Sequence, residues 1–140
     1  MNSDLRDFSE AARQVVDDLG LEAEEQASWS LVSELGWLLT SIPEELGGLG
    51  MGLPGVCVLH RQLGRGLAPV PFLSAVLSLE ALGQSTLADR EARLERLGSG
   101  GEYLAAPLGV SRLEQKAGAA DDLLLTGTVE AVPSADRASQ

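Results

Sequence analysis

The chain has 140 residues, 44% of them hydrophobic, and a formal net charge of −11 at neutral pH. This size and hydrophobic content suffice for one folded unit with a core, but the charge opposes binding to nucleic-acid phosphates and to anionic lipid. The one cysteine, Cys57, has no disulfide partner, and with one histidine it is too little for a zinc site made of protein ligands. No signal-peptide pattern opens the chain, and no apolar run approaches the roughly 20 residues that span a bilayer. We therefore expect a cytoplasmic protein without nucleic-acid, membrane or metal partners.

Apolar residues recur at helical spacing through the first third of the chain. The first stripe predicts a helix that Ser3 caps and Gly20 ends. This stripe consists of Leu5, Phe8, Ala12, Val15 and Leu19. A second helix is predicted to run to about Leu35, where Gly36 stops it. Its apolar stripe consists of Trp29, Val32 and Leu35.

A capped helical turn and a third helix follow. Ser41 before Pro43 and Glu44 predicts the turn, because the serine accepts from a free amide and the proline lacks a donor. The third helix begins at Pro54, and its buried stripe leaves Gln62 on the outside. The stripe consists of Val56, Leu59, Leu63 and Leu67.

The next two predicted helices differ in character. Residues 72–82 are apolar almost all round, which indicates a helix enclosed by others. Thr86 and Asp89 form the start of a fifth helix that runs through Leu97, with Asp89 and Arg93 spaced to pair across one turn. We expect this last helix to lie on the surface.

Helical periodicity disappears after residue 101. Two apolar runs at 103–108 and 123–132 have the length and turn-rich flanks of strands. The predicted fold is therefore mostly α, with a helical domain over residues 1–101 and a short, incomplete β-element with a polar tail over residues 102–140.

Three motifs carry a family resemblance. Residues 35–37 read LGW, residues 43–50 read PEELGGLG, and residues 63–72 read LGRGLAPVPF. In this order and spacing they resemble the N-terminal helical domain of the acyl-CoA dehydrogenases, of the actinobacterial, steroid-degrading type. The same glycines and proline also have architectural roles, as helix starts and as positions of unusual backbone conformation. The motifs therefore identify a fold better than a catalyst.

The resemblance implies a redox chemistry. Members of the family take an α-proton from an acyl-CoA thioester with a carboxylate base, while the β-hydrogen leaves as hydride to the flavin of FAD. In the family the base belongs to a C-terminal helical domain, so the resemblance assigns no catalytic residue to this sequence. Acyl-CoA and FAD are the ligands it implies, and a homo- or hetero-oligomer is the assembly.

The flavin positions of the family fall on the predicted β-element. The resemblance places one flavin-contacting segment on Leu108, Val110 and Ser111, with valine at the usual threonine position. On the second strand, Ala131 replaces an aromatic residue and Pro133 replaces a hydroxyl residue. Alanine offers no ring and proline neither hydroxyl nor amide hydrogen, so we expect weak or absent flavin binding by this chain alone.

Other candidate residues lie on the third and fourth helices. The resemblance places the acyl pocket beside Phe72, Leu73, Val76 and Leu77, for which plain core packing is the alternative. His60 has no catalytic partner at a recognisable spacing and is expected at the surface or the core edge. Cys57, between two valines, is expected to be buried.

Three interpretations remain open at this point. The chain is part of an active dehydrogenase, a non-catalytic partner subunit that has lost flavin binding, or a helical interaction module that keeps only the packing of the family. The weakened flavin positions favour the second interpretation, and the absence of the catalytic domain from the sequence favours the first.

Overall fold

The computed structural model describes residues 3–109, 111–117 and 123–137. Within these ranges five helices precede two strands. The helices are α1 Ser3–Leu19, α2 Glu25–Glu34, α3 Gly52–Arg65, α4 Phe72–Gly83 and α5 Arg90–Gly98, and the strands are β1 Ser111–Ala117 and β2 Leu123–Val129. Short 3₁₀ turns lie at Trp37–Leu39, Glu44–Leu46 and Ala135–Arg137. The predicted fold class, a helical bundle followed by a small β-element, is confirmed.

Several predicted helix ends agree with the structure. α1 ends before Gly20, and α2 ends before Gly36, which adopts the left-handed conformation with φ 68° that glycine accepts without strain. In α5 the Nε of Arg93 donates to the Oδ2 of Asp89 at 2.8 Å, the predicted pairing across one turn. Local sequence signals therefore set where these helices stop and how α5 is stabilised on its outer face.

Two predicted caps are wrong. The turn at Glu44–Leu46 has Pro43 at its N-cap position, and no side chain caps it. The Oγ of Ser41 is instead buried and has no hydrogen-bond partner among the described residues. Asp89 stands at the N-cap of α5 without a capping hydrogen bond, because its carboxylate is engaged by Arg93.

All five helices and the first 3₁₀ turn contribute residues to the core. Leu38 of the first 3₁₀ turn, Val32 of α2, Leu59 of α3 and Leu94 of α5 are each 0% exposed. α1 packs along α3 and adds Ala12 and Val16 to the core. The helical periodicity thus correctly predicts which face of most helices is buried, since the core residues repeat every three or four positions.

The buried faces differ from the prediction at Leu35, Leu67 and Gln62, and the deepest valine of α1 is also a different one. In α1 the deeply buried valine is Val16, while Val15 is only partly buried. Leu35 and Leu67 are exposed, because each lies just beyond the end of its helix. Gln62, expected outside, is 6% exposed and hydrogen-bonded to Ser9 of α1. A polar side chain can occupy a buried position when a neighbouring helix supplies its partner.

The exit of the chain from the helical bundle is held by an indole ring. The Nε1 of Trp29 in α2 donates to the carbonyl of Gly100 at 2.8 Å. The same ring meets Tyr103 edge to face, with ring centroids 5.5 Å apart. The Tyr103 hydroxyl then donates to the carbonyl of Pro133 at 3.2 Å. Helical bundle and β-element are therefore joined through two aromatic side chains.

The β-element differs from the predicted strands. Residues 103–108 form no strand, and the first strand begins later, at Ser111. β1 and β2 pair antiparallel, with Ser111 opposite Val129 and Ala117 opposite Leu123. The predicted second strand was correct in position but ends at Val129. The apolar run at 103–108 is explained by packing against the helical bundle, since Leu104 and Ala105 contact the core.

The two-stranded sheet exposes its apolar side chains. Leu123, Leu124 and Leu125, which point to both faces of β2, are 56%, 59% and 55% exposed. Leu113 of β1 is also exposed. A two-stranded sheet of this kind is at best marginally stable by itself, and both of its strands are edges.

We predict that Gly100→Ala destabilises the protein by about 2 kcal/mol. Gly100 has φ 76°, and an added Cβ would lie 2.5 Å from the Cβ and Oγ of Ser33. Gly64→Ala is the matched control, because a Cβ there meets no atom within 4 Å and α3 gains up to about 1 kcal/mol of helix propensity. Urea unfolding of the two variants measures both changes. If Gly100→Ala and Gly64→Ala had the same free energy of unfolding, the requirement for glycine at position 100 would be contradicted.

Candidate functional site

The four residues expected at an acyl pocket divide into two pairs on α4. Phe72 and Val76 are 2% and 4% exposed and belong to the core. Leu73 and Leu77 are 40% and 43% exposed. Because they are four positions apart, they share one outward face of the helix. Of the four, these two leucines are the pair available to an acyl chain.

The expectation that residues 72–82 are enclosed on every side therefore holds only for the inner face of α4. Its buried polar residues, Ser74 and Ser78, each use the hydroxyl as a donor: Ser78 donates to the carbonyl of Ser74 at 3.0 Å. Ser74 reaches outside the helix, as described next.

Ser74 attaches the segment 103–109 to α4. The backbone N–H of Ala106 donates to the Oγ of Ser74 at 2.9 Å, and this hydroxyl donates to the carbonyl of Ala106 at 3.2 Å. One side chain thus satisfies both polar groups of Ala106. The link brings the helix expected at the acyl pocket next to the segment expected at the flavin.

The flavin positions lie along this segment. Leu108 is exposed, and its backbone N–H donates to the carbonyl of Ala131 at 2.9 Å. Val110 lies outside the described residues, and Ser111 begins β1. The hydrogen bond from Leu108 brings the first and second flavin positions of the resemblance together, since Ala131 belongs to the second.

The second flavin position has an unusual backbone. Ala131 and Ser134 have φ 52° and 53°, a conformation that costs a non-glycine residue on the order of 1 kcal/mol or more. Between them, the carbonyl of Pro133 accepts from Tyr103. The donor of Leu108 is already used, and neither Ala131 nor Pro133 offers a ring or a hydroxyl. The described residues at these positions do not fit a flavin.

His60 and Cys57 lie on the outer side of α3. His60 is exposed and its ring stacks near Phe72, with centroids 6.1 Å apart and an interplanar angle of 24°. This agrees with the expected surface or core-edge position. Cys57 is exposed, so the prediction that it is buried was wrong. Of the two flanking valines, Val56 belongs to the core and Val58 is partly exposed.

A cleft of about 350 Å³ lies on another side of the bundle, between the start of α2 and residues 100–103. Its walls include Trp29, Tyr103 and the carboxylates of Glu25 and Glu102. Neither the expected acyl residues nor the expected flavin residues line it. The apolar face of Leu73 and Leu77 is therefore separate from this cleft.

The described ranges contain no candidate membrane span and no candidate metal centre. No helix there is long and apolar enough to cross a bilayer. No group of three or more His, Cys, Asp or Glu side chains there has an arrangement that could hold a metal ion.

Two residues that organise this region were not singled out from the sequence. The sequence does contain an indication for Ser74, because a serine inside an apolar helix needs a hydrogen-bond partner when it is buried. The sequence contains no such indication for Tyr103, since its partner Pro133 is 30 residues away in the chain. Long-range contacts of this kind leave no local pattern.

Comparisons with known proteins agree on one family. A family model described as acyl-CoA dehydrogenase, N-terminal domain, matches residues 2–100. Acyl-CoA dehydrogenase IpdE2 of Mycobacterium tuberculosis is 36% identical over 72 residues, which are 51% of this chain and 23% of that protein. The chain thus spans about a quarter of the length of this curated relative.

Two solved structures share the fold. A variant of the Tcur3481-Tcur3483 steroid ACAD is 25% identical, with a TM-score of 0.75, and the match covers 96% of this chain and 42% of that chain. The ChsE4-ChsE5 complex from Mycobacterium tuberculosis is 24% identical, with a TM-score of 0.78, and the match covers 99% of this chain and 42% of that chain. With the family model matching residues 2–100, the chain belongs to the acyl-CoA dehydrogenase family, in the part that corresponds to its N-terminal domain.

Proposed function

We propose that this chain forms the helical, acyl-binding side of an FAD-dependent acyl-CoA dehydrogenase that desaturates the α,β-bond of an acyl-CoA thioester. The observation that carries the proposal is the link from Ser74 to Ala106 in a member of this family. It holds the apolar face of α4 beside the segment to which the family resemblance assigns the flavin. The proposed organisation is a helical domain over 1–101 and a β-part over 102–140, in the cytoplasm.

The outward leucines of α4 suit an acyl chain. Leu73 and Leu77 are large, apolar and about 40% exposed, although the inner face of the same helix is buried. Covering a fully exposed leucine is worth roughly 1.5–3 kcal/mol. Because about two fifths of Leu73 and Leu77 is still open, an acyl chain laid across both gains about 1–2 kcal/mol in total. No polar group on these two side chains opposes such contact.

The catalytic base and the flavin contacts are proposed to come from outside the 140 residues. The family resemblance places the base in a C-terminal helical domain, and the family model matches residues 2–100 as the N-terminal domain. Of the flavin positions, Leu108, Ala131 and Pro133 provide neither an aromatic ring nor a hydroxyl. Acyl-CoA chemistry by this chain therefore requires further residues, either of a longer chain or of another subunit.

A non-catalytic partner subunit is the second candidate. The backbone donor of Leu108 is engaged by Ala131, and Ala131 and Pro133 cannot replace the side chains usual in the family. Two structural relatives carry names that join two proteins, Tcur3481-Tcur3483 and ChsE4-ChsE5. In this version the chain supports a second subunit that holds FAD and the base. A helical interaction module without any acyl-CoA site would need neither FAD nor a catalytic base.

We expect the purified 140-residue chain to be colourless and to show no dye reduction with short-chain, long-chain or steroid-side-chain acyl-CoA. The physical reason is the missing base and the poor fit at the flavin positions. Absorbance spectra and a dye-reduction assay measure both. About one equivalent of bound flavin per chain, or turnover by the chain alone, would contradict the proposal. Flavin uptake only after mixing with a second dehydrogenase subunit would favour the partner-subunit version.

The exposed leucines give a second prediction. Leu73→Gln combined with Leu77→Gln should change the free energy of unfolding by no more than about 0.5 kcal/mol per site, because both side chains are largely outside the core. The same pair should raise the KM for acyl-CoA in the complete dehydrogenase. Val76→Ala is the control for the inner face and should cost about 1–3 kcal/mol of stability. An unchanged KM would remove Leu73 and Leu77 from the acyl site.

The link between α4 and segment 103–109 gives a third prediction. Ser74→Ala should cost about 1–2 kcal/mol and accelerate hydrogen exchange at the amide of Ala106, because both polar groups of Ala106 lose their partner. Ser78→Ala is matched in chemistry but should leave that amide protected, since Ser78 bonds only within α4. Native-state exchange followed by NMR measures the difference. Equal protection in both variants would show that Ser74 does not hold the segment.

A further inference from the structure

The face of α1 that borders α3 concentrates positive charge in an acidic chain. Arg6, Ser9 and Arg13 are spaced three and four positions apart, so they lie on one side of the helix. Together with Glu10 and Gln62 they line a cleft of about 290 Å³. The whole chain carries ten Lys and Arg against 21 Asp and Glu. Two guanidinium groups at one small cleft are therefore a local reversal of the overall charge.

A series of hydrogen bonds sets the orientation of the Gln62 amide group at the cleft. An NH2 of Arg65 in α3 binds the carboxylate of Asp17, and its Nε donates to the Oε1 of Gln62 at 3.1 Å. A guanidinium can only donate, so the amide oxygen of Gln62 must face Arg65. The amide nitrogen of Gln62 then donates to the Oγ of Ser9 at 3.0 Å.

The consequence is a free donor at the cleft. Since the Oγ of Ser9 accepts from Gln62, its own proton remains to donate, and no other hydrogen bond engages this hydroxyl within the described part of the chain. Gln62 is 6% exposed, so water has little access to the hydrogen bonds that orient its amide group. The Ser9 hydroxyl can therefore donate to a ligand while it accepts from Gln62.

The two arginines of the cleft are also uncommitted. Arg65, Arg93 and Arg96 each have a carboxylate within 4 Å, whereas Arg6 and Arg13 have none among the residues that the structure describes. Arg6 lies about one turn before Ser9 in α1, and Arg13 lies about one turn after it. Two arginine side chains and one hydroxyl donor thus line the same cleft.

We propose that this cleft between α1 and α3 binds a phosphate group. Guanidinium groups pair with phosphate oxygens through two parallel hydrogen bonds, and a hydroxyl donor supplies a third contact. Glu10 in the lining is the one opposing charge, and the two arginines outweigh it. The source of the phosphate is either free phosphate or the phosphate groups of a CoA-type ligand. The site itself does not rest on the proposed dehydrogenase function.

Calorimetric titration of the full chain at low ionic strength tests the site, with inorganic pyrophosphate, CoA and dephospho-CoA as probes. We expect at least one probe to bind, and Arg6→Gln combined with Arg13→Gln to weaken that binding at least tenfold. Ser9→Ala should weaken it about threefold to tenfold, because one donor is lost. Arg93→Gln on α5 changes the charge in the same way at a distant, paired arginine and should leave binding within twofold.

The three probes separate the sources of the phosphate. If CoA binds and dephospho-CoA does not, the site recognises the 3′-phosphate of CoA. If both bind equally, it recognises the diphosphate bridge. If only pyrophosphate binds, it recognises a free inorganic phosphate compound. Each of these results supports the site. Binding of none of the probes, or equal weakening by Arg93→Gln and by the Arg6 and Arg13 pair, would overturn it. Circular dichroism of each variant confirms that the helices are intact.

Discussion

The hydrogen bond from the indole of Trp29 to the carbonyl of Gly100 is the constraint on which the structure after residue 100 depends. It fixes the point at which the chain leaves the helical bundle. Gly100 needs a left-handed backbone and a bare Cα there, because Ser33 and the indole fill the space where a Cβ would stand. From this point Tyr103 packs against Trp29 and donates to Pro133. A side chain of α2 thus positions residues far along the chain.

Buried polar groups supply the other long-range links. Ser74 joins α4 to Ala106, and Gln62 joins α3 to Ser9 of α1. Each satisfies partners that would otherwise lose solvation without compensation, which costs on the order of 1–3 kcal/mol per group. Apolar packing decides which helix faces turn inward, whereas these few hydrogen bonds decide the relative placement of neighbouring elements. The candidate acyl face and the phosphate cleft both lie next to such a bond.

The sequence predicts the helical part well because its signals are local. Periodic apolar residues, Gly20, Gly36 and the pairing of Asp89 with Arg93 act within one or two turns, and the structure contains them as expected. The first predicted strand was wrong, because an apolar run packed on a helix bundle and one in a sheet look alike at that length. Gln62 was misplaced because the partner that permits its burial belongs to another helix.

The candidate site was predicted only in outline. The family resemblance led to α4, but the distinction between Leu73 and Leu77 on one face and Phe72 and Val76 on the other needs the packing of the whole bundle. The assignment of flavin positions stays a prediction, with Val110 outside the described residues. Ser74 could have been anticipated as a buried donor, but its partner at Ala106 could not.

The exposed leucines of the two-stranded sheet bear on how the protein must be produced. Leu113, Leu123, Leu124 and Leu125 form an apolar ribbon with unpaired edges, the arrangement that favours self-association between copies. An exposed apolar surface of this kind promotes aggregation, and the hazard grows with the concentration of the chain. The yield of folded protein therefore depends on keeping that concentration low during production.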